Sequence, residues 1–200
     1  MDLNNEITKI SYSLGVNIGQ SLAEQGLKEV NGEAFAKAIS DFFEGNDLEI
    51  KSDEAQQNLQ EFFGKLQAES AGIQAKAGLE FLEANANKDG IISLPSGLQY
   101  EVMTSGDGEK PSAEDKVNTH YHGTLIDGTV FDSSIERGEP ISFPLNGVIA
   151  GWTEALQLMP VGSKWRLFVP SHLAYGERGQ GAIQPHSTLI FEVELLAIEK

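Results

Sequence analysis

Two hundred residues with 40% hydrophobic and 22% charged side chains fit one or two soluble globular domains. A formal net charge of -16, shared by both halves, leaves no basic stripe, which argues against nucleic acid or an anionic membrane surface as a partner. With no cysteine, disulfides, thiol nucleophiles and cysteine metal sites are excluded, and a reducing compartment is compatible.

The opening stretch, Met1 to Glu6, has no basic segment leading into an apolar run, so it does not read as a signal peptide. No apolar run approaches the ~18 residues of a membrane span. The expected location is cytoplasmic, with no membrane contact; a mature exported chain begun with a new Met has the same appearance. None of the 7 prolines lies before residue 95, whereas turn signals crowd the remainder. This shift predicts a helical half followed by a β-rich half.

In chain order, Ile7, Ile10, Leu14, Ile18 and Leu22 recur at helical spacing. Gly15 and Gly19 lie beside that stripe, either as a close-approach face or as tolerated surface glycines. Gly26 is placed to end the helix. A second helix is predicted from Asn31 as N-cap to about Glu44, burying Phe35, Ala38, Ile39, Phe42 and Phe43. A third starts at Ser52 with an acidic first turn and runs to about Asn87, roughly 50 Å at 1.5 Å per residue. Its apolar stripe is strong at Leu59, Phe62, Phe63 and Leu66 and thins afterwards. So thin a core is marginal for a lone unit. Either a homodimer forms through residues 1–66, with the rest of the helix as a spacer, or a monomeric bundle folds back on the second half. The stretch Asn85–Ile92 resembles the start of a calcium loop, but its twelfth position is Ser96 and its first is Asn. It reads as a helix end and turn.

From Gly97 onward strands are predicted at 98–103, 116–125, from 130, at 141–143, at 164–169 and at 188–196, with one short helix over 149–156. The expected fold class is α+β: an N-terminal all-α dimerisation domain (1–51), a long connecting helix and turn (52–94), and a C-terminal domain (95–200). In that last domain an antiparallel sheet wraps one short helix.

The segments His120–Gly123, Asp127–Ser134, Val148–Trp152, Met159–Gly162, Ala174–Gly176 and Ile190–Leu196 resemble, in order, the FKBP family of peptidyl-prolyl isomerases. The likeness covers about residues 97–200. The layout is similar to the two-domain bacterial Mip/FklB-like group. The resemblance implies a cis/trans isomerase for X-Pro bonds that acts on proline-containing peptides and on unfolded or partly folded proteins. It also implies chaperone-like holding of clients by a homodimer, and macrolide ligands such as tacrolimus and rapamycin. No cofactor and no metal are expected.

By the same resemblance, Trp152 is the floor under the proline ring, while a Trp on a short helix also suits a core. Tyr121, Phe131 and Phe191 are walls. Asp132 is either a pocket-edge carboxylate or an Asx cap for Ser133 and Ser134, with Arg137 near enough in sequence to pair with it. Tyr175 offers a phenolic donor. Val148 and Ile149 give backbone donors and apolar wall, and Ile183 reaches over the mouth. The catalytic group is then Asp132, Tyr175, Phe131 and Tyr121. Ile141 stands where the family often has an aromatic, Ala182 where a larger aliphatic is common, and the 176–185 loop is short, all of which bear on macrolide affinity. His120 and His122 share one strand face without a third metal ligand and read as structural. Ser133, Ser134 and His186 lack a nucleophile-elbow motif. A pure binding module and a scaffold using only the helices are the competing readings.

Overall fold

The computed structural model describes residues 1–199. The chain falls into two compact units that meet at Leu66 and Gln67.

The first unit is helical. Helix α1 spans Glu6–Glu24, and the Asn5 side chain caps it by accepting from the Thr8 N–H at 3.0 Å. Gly26, at φ +92°, follows as the left-handed residue that lets the chain turn away. Helix α2 spans Gly32–Glu44, with Asn31 accepting from the Ala34 N–H at 3.0 Å and Gly45 as its left-handed C-cap. Helix α3 spans Ser52–Ala86, and its first part belongs to this unit.

The expected burial of Phe35, Ile39, Phe42 and Phe43 does not occur within the chain. Neither α1 nor α2 contains a buried residue, and Ile7, Phe42 and Phe43 are 75%, 69% and 83% exposed. The physical reason is thickness: two short helices and part of a third offer too few opposing side chains to close over these faces.

The second unit is built on an antiparallel sheet of seven strands: β1 Ile91–Ser93, β2 Gln99–Thr104, β3 Lys116–Leu125, β4 Val130–Ser133, β5 Ile141–Pro144, β6 Lys164–Val169 and β7 Leu189–Glu199. The order is β1-β2-β6-β7-β3-β4, with β5 pairing to the first half of β3. β1 lies outside the predicted strands, because three residues are too few to show a period. β3 alternates as its sequence requires: Val117, Thr119, Tyr121 and Gly123 face inward, and Asn118, His120 and His122 face the other way. On β7, Leu189, Phe191, Val193 and Leu195 are buried. Helix α5, Ala150–Leu156, lies against this face through Trp152, Ala155 and Leu156. Gly151 permits the approach, since a Cβ there would stand 2.5 Å from a Val169 methyl.

Two buried polar contacts tie the end of α3 to β2. Asn85 Nδ2 donates to Gln99 Oε1, and Gln99 Nε2 donates to the Leu82 carbonyl, both at 2.9 Å. Phe81 packs on Phe168 with centroids 5.9 Å apart. Asn85 is therefore a structural helix-end residue. Further along the same outward face, Lys164 and Arg166 are both bonded to Glu192. No described helix is long and apolar enough to cross a membrane.

Candidate active site

The inward faces of β3 and β7, helix α5, strand β5 and the 174–185 loop enclose a cavity of about 670 Å³. Tyr121, Phe131, Asp132, Ile141, Val148, Ile149, Trp152, Tyr175, Ile183 and Phe191 all line it. These are the ten positions singled out in the sequence. The structure adds Phe143, Gly147, Gln180 and Gly181 to the wall, and Ala182, noted in the sequence beside Ile141, lines it as well. Phe143 was within reach of the sequence, because it lies two residues from Ile141 on the same strand and so shares its face. Gln180 and Gly181 carried no such signal. They belong to the tip of a loop in which Gln180 and Ile183 exchange backbone hydrogen bonds at 2.8 and 2.9 Å.

Trp152 is nearly buried and is enclosed by three rings: Tyr121 at 5.3 Å, Phe143 at 5.3 Å and Phe191 at 5.2 Å between centroids. Two of these contacts are edge-on, the geometry that ring quadrupoles favour. Phe131 meets Phe191 edge-on at 5.4 Å and extends the wall. The Trp152 indole N–H has no partner among the described residues.

One ionised side chain, Asp132, stands among the rings of the lining. The Asp132 carboxylate accepts from the Tyr121 hydroxyl through one oxygen and from Arg137 Nη1 through the other. Arg137 Nη2 also donates to the Tyr121 oxygen at 3.0 Å, and its guanidinium lies 5.7 Å from the Tyr121 ring centroid. A four-residue helix α4, Ser134–Arg137, holds this group together. Its first residue, buried Ser134, accepts from the Tyr121 N–H at 2.7 Å, and its last supplies the guanidinium. The Ser133 backbone N–H also contributes to holding the Asp132 carboxylate. The Ser133 hydroxyl caps α4 by accepting from the Glu136 N–H at 3.2 Å. The two histidines bond to the same pair of hydroxyls, His120 Nδ1 to Ser134 at 3.1 Å and His122 Nδ1 to Ser133 at 3.0 Å. Among the described residues no group of three or more acidic or histidine side chains is placed to hold a metal.

The charges follow from these contacts. Burial works to raise the Asp132 pKa, but the hydrogen bonds from Tyr121 and Arg137 and the charge of Arg137 outweigh it, and the carboxyl lies below its ordinary value. Burial, reinforced by the hydrogen bond to Asp132, pushes the Tyr121 phenol up. Burial and the charge of Asp132 do the same to Tyr175. Near neutral pH the site therefore holds one carboxylate and two protonated phenols.

Comparison with known proteins gives two matching family models. Residues 107–196 match the FKBP-type peptidyl-prolyl cis-trans isomerase, and residues 7–102 match the domain amino-terminal to it. An FKBP-type 22 kDa peptidyl-prolyl cis-trans isomerase of Escherichia coli (strain K12) is 50% identical over 94% of this chain and 93% of its own length. The outer membrane protein MIP of Legionella longbeachae is 44% identical over 99% and 88%. The crystal structure of FkpA from Escherichia coli superimposes with a TM-score of 0.77 at 37% identity, covering 98% of this chain and 97% of that one.

Because Asp132 is depressed on folding, its pairing stabilises the protein above the ordinary carboxyl pKa of about 4 and is lost as pH falls through the folded value. Thermal unfolding of the wild type and of Asp132→Asn across pH should show a constant gap above about pH 5 that closes in acid. A gap that widens as pH falls would contradict the assignment.

Proposed function

The chain belongs to the FKBP-type peptidyl-prolyl cis-trans isomerases, and from that premise we propose that it turns over X-Pro bonds inside the cavity of Tyr121, Phe131, Asp132, Trp152 and Tyr175 by a non-covalent, twisted-amide route. The barrier to rotation, about 18–20 kcal/mol, arises because amide resonance must be lost. The twisted amide is less charge-separated than the planar one. An apolar enclosure therefore favours the transition state over the ground state with no nucleophile.

The observation that carries this reading is a ring-lined cavity whose ionised side chain, Asp132, already has both oxygens engaged. In the proposal Trp152 is the floor for the proline ring, with Tyr121, Phe131 and Phe191 as walls. Tyr175, kept protonated by burial and by the charge of Asp132, donates to a substrate carbonyl. The start of α5 at Ile149 leaves backbone N–H groups without intrahelical acceptors, and these are further donors. Asp132 biases the field across the bond while Arg137 and Tyr121 hold it still. Tacrolimus and rapamycin are the ligands proposed to compete for the same cavity. Ile141 and Ala182, both on its rim, are the positions proposed to set their affinity.

The proposal includes a homodimer through residues 1–66, supported by the exposed Ile7, Phe42, Phe43, Leu59 and Phe62 of the first unit. Domains at 1–51, 52–94 and 95–200 remain the proposed division of labour. Two sites linked in one dimer raise the effective concentration of a second contact with an unfolded client, which is the basis proposed for chaperone-like holding.

Asp132→Ala should lower isomerisation of an X-Pro tetrapeptide at least several-fold, on the order of 1 kcal/mol or more in the barrier, with circular dichroism unchanged. Full activity in the folded variant would remove Asp132 from the mechanism. Sedimentation of the full chain should give twice the chain mass, and Phe42→Ser with Phe43→Ser should give the monomer; a wild-type monomer at all concentrations would sink the dimer.

A further inference from the structure

Phe131 and Asp132 are neighbours in sequence and both line the cavity. In a regular strand consecutive side chains point to opposite faces. The strand is not regular here. On β3, Gly123 pairs with Asp132 and Thr124 pairs with Val130, so Phe131 is an extra residue opposite no partner. Such a bulge turns two successive side chains toward one face.

The strand facing the bulge carries a matching vacancy. Gly123 is the inward position after Val117, Thr119 and Tyr121. A Cβ built there would lie 2.7 Å from both Cε2 and Cζ of Phe131 and 3.1 Å from Cε1 of Phe191. The Phe131 ring thus occupies the space that any side chain at position 123 would fill. Gly123 has no positive φ, so left-handed backbone is not what calls for glycine at this position. Space is the constraint.

We propose that Gly123 is a positioning residue for isomerisation: its missing side chain is the seat of the Phe131 ring, and seat and bulge together bring Phe131 and Asp132 onto one wall. This deepens the site assignment above and rests on it. A methyl at position 123 displaces the ring toward the cavity and, through the edge-on Phe131–Phe191 contact, disturbs the rings around Trp152.

A double-mutant cycle tests it, with tetrapeptide kcat/KM and thermal unfolding as readouts. Gly123→Ala in the wild type should lower kcat/KM by roughly tenfold or more, the scale of loss seen when a wall group moves by an ångström. Leucine lacks the Cε2 and Cζ atoms that clash. Gly123→Ala should therefore cost less than about twofold further in a Phe131→Leu background, with its loss of Tm largely recovered. Should Gly123→Ala alone fail to fold, recovery of a folded Gly123→Ala, Phe131→Leu protein with the activity of Phe131→Leu supports the seat. An equal fold loss in both backgrounds, or full activity of Gly123→Ala, overturns it. The site assignment fails by a different result, undiminished activity in Phe131→Leu alone.

Discussion

An ionised carboxylate beside apolar rings is held in place when protein donors occupy its oxygens. Asp132 meets that condition with one phenol and one guanidinium, and much of the surrounding architecture serves this contact. Strand β3 supplies Tyr121, the bulge on β4 aims Asp132, and α4 brings Arg137 back over both. The same four-residue helix grips the Tyr121 backbone through Ser134, so the ring that walls the cavity and the hydroxyl that holds the carboxylate are fixed from both ends. A ring-lined cavity with a fixed field suits amide rotation, where no bond to carbon forms or breaks.

The remaining geometry is a matter of ring packing. Trp152 touches Tyr121, Phe143 and Phe191, and Phe191 touches Phe131, so the five rings are one contiguous aromatic cluster. The cluster requires close approaches that only small residues allow. Gly151 lets α5 settle against Val169, and Gly123 leaves room for Phe131. These two glycines act through volume, whereas Gly45 and Gly138 act through left-handed backbone at helix ends.

The long elements were legible because they are periodic. β3 and β6 lie where alternation puts them, and α3 runs within a residue of its expected end. The cavity residues were legible through family likeness, since Tyr121, Asp132 and Trp152 are far apart in sequence and no period connects them. What stayed hidden depends on contacts across strands. Helix α4 is a single turn, below the length at which a period shows, and the role of Ser133 as its cap follows only from that turn. Gly123 reads as an ordinary strand glycine until the bulge opposite it is seen. The α2 face stays uncovered within the chain because an amphipathic pattern reports that a face needs cover, not what provides it.

The most direct test of the account is to locate the substrate during turnover. An X-Pro tetrapeptide titrated into isotope-labelled protein should shift the Trp152 indole resonance and the Val148 and Ile149 amides, saturating at the concentrations that saturate isomerisation. The Trp152 indole N–H is a suitable reporter because no described residue accepts from it. Saturating shifts elsewhere on the protein, with these three unmoved while the peptide is still turned over, would contradict the account.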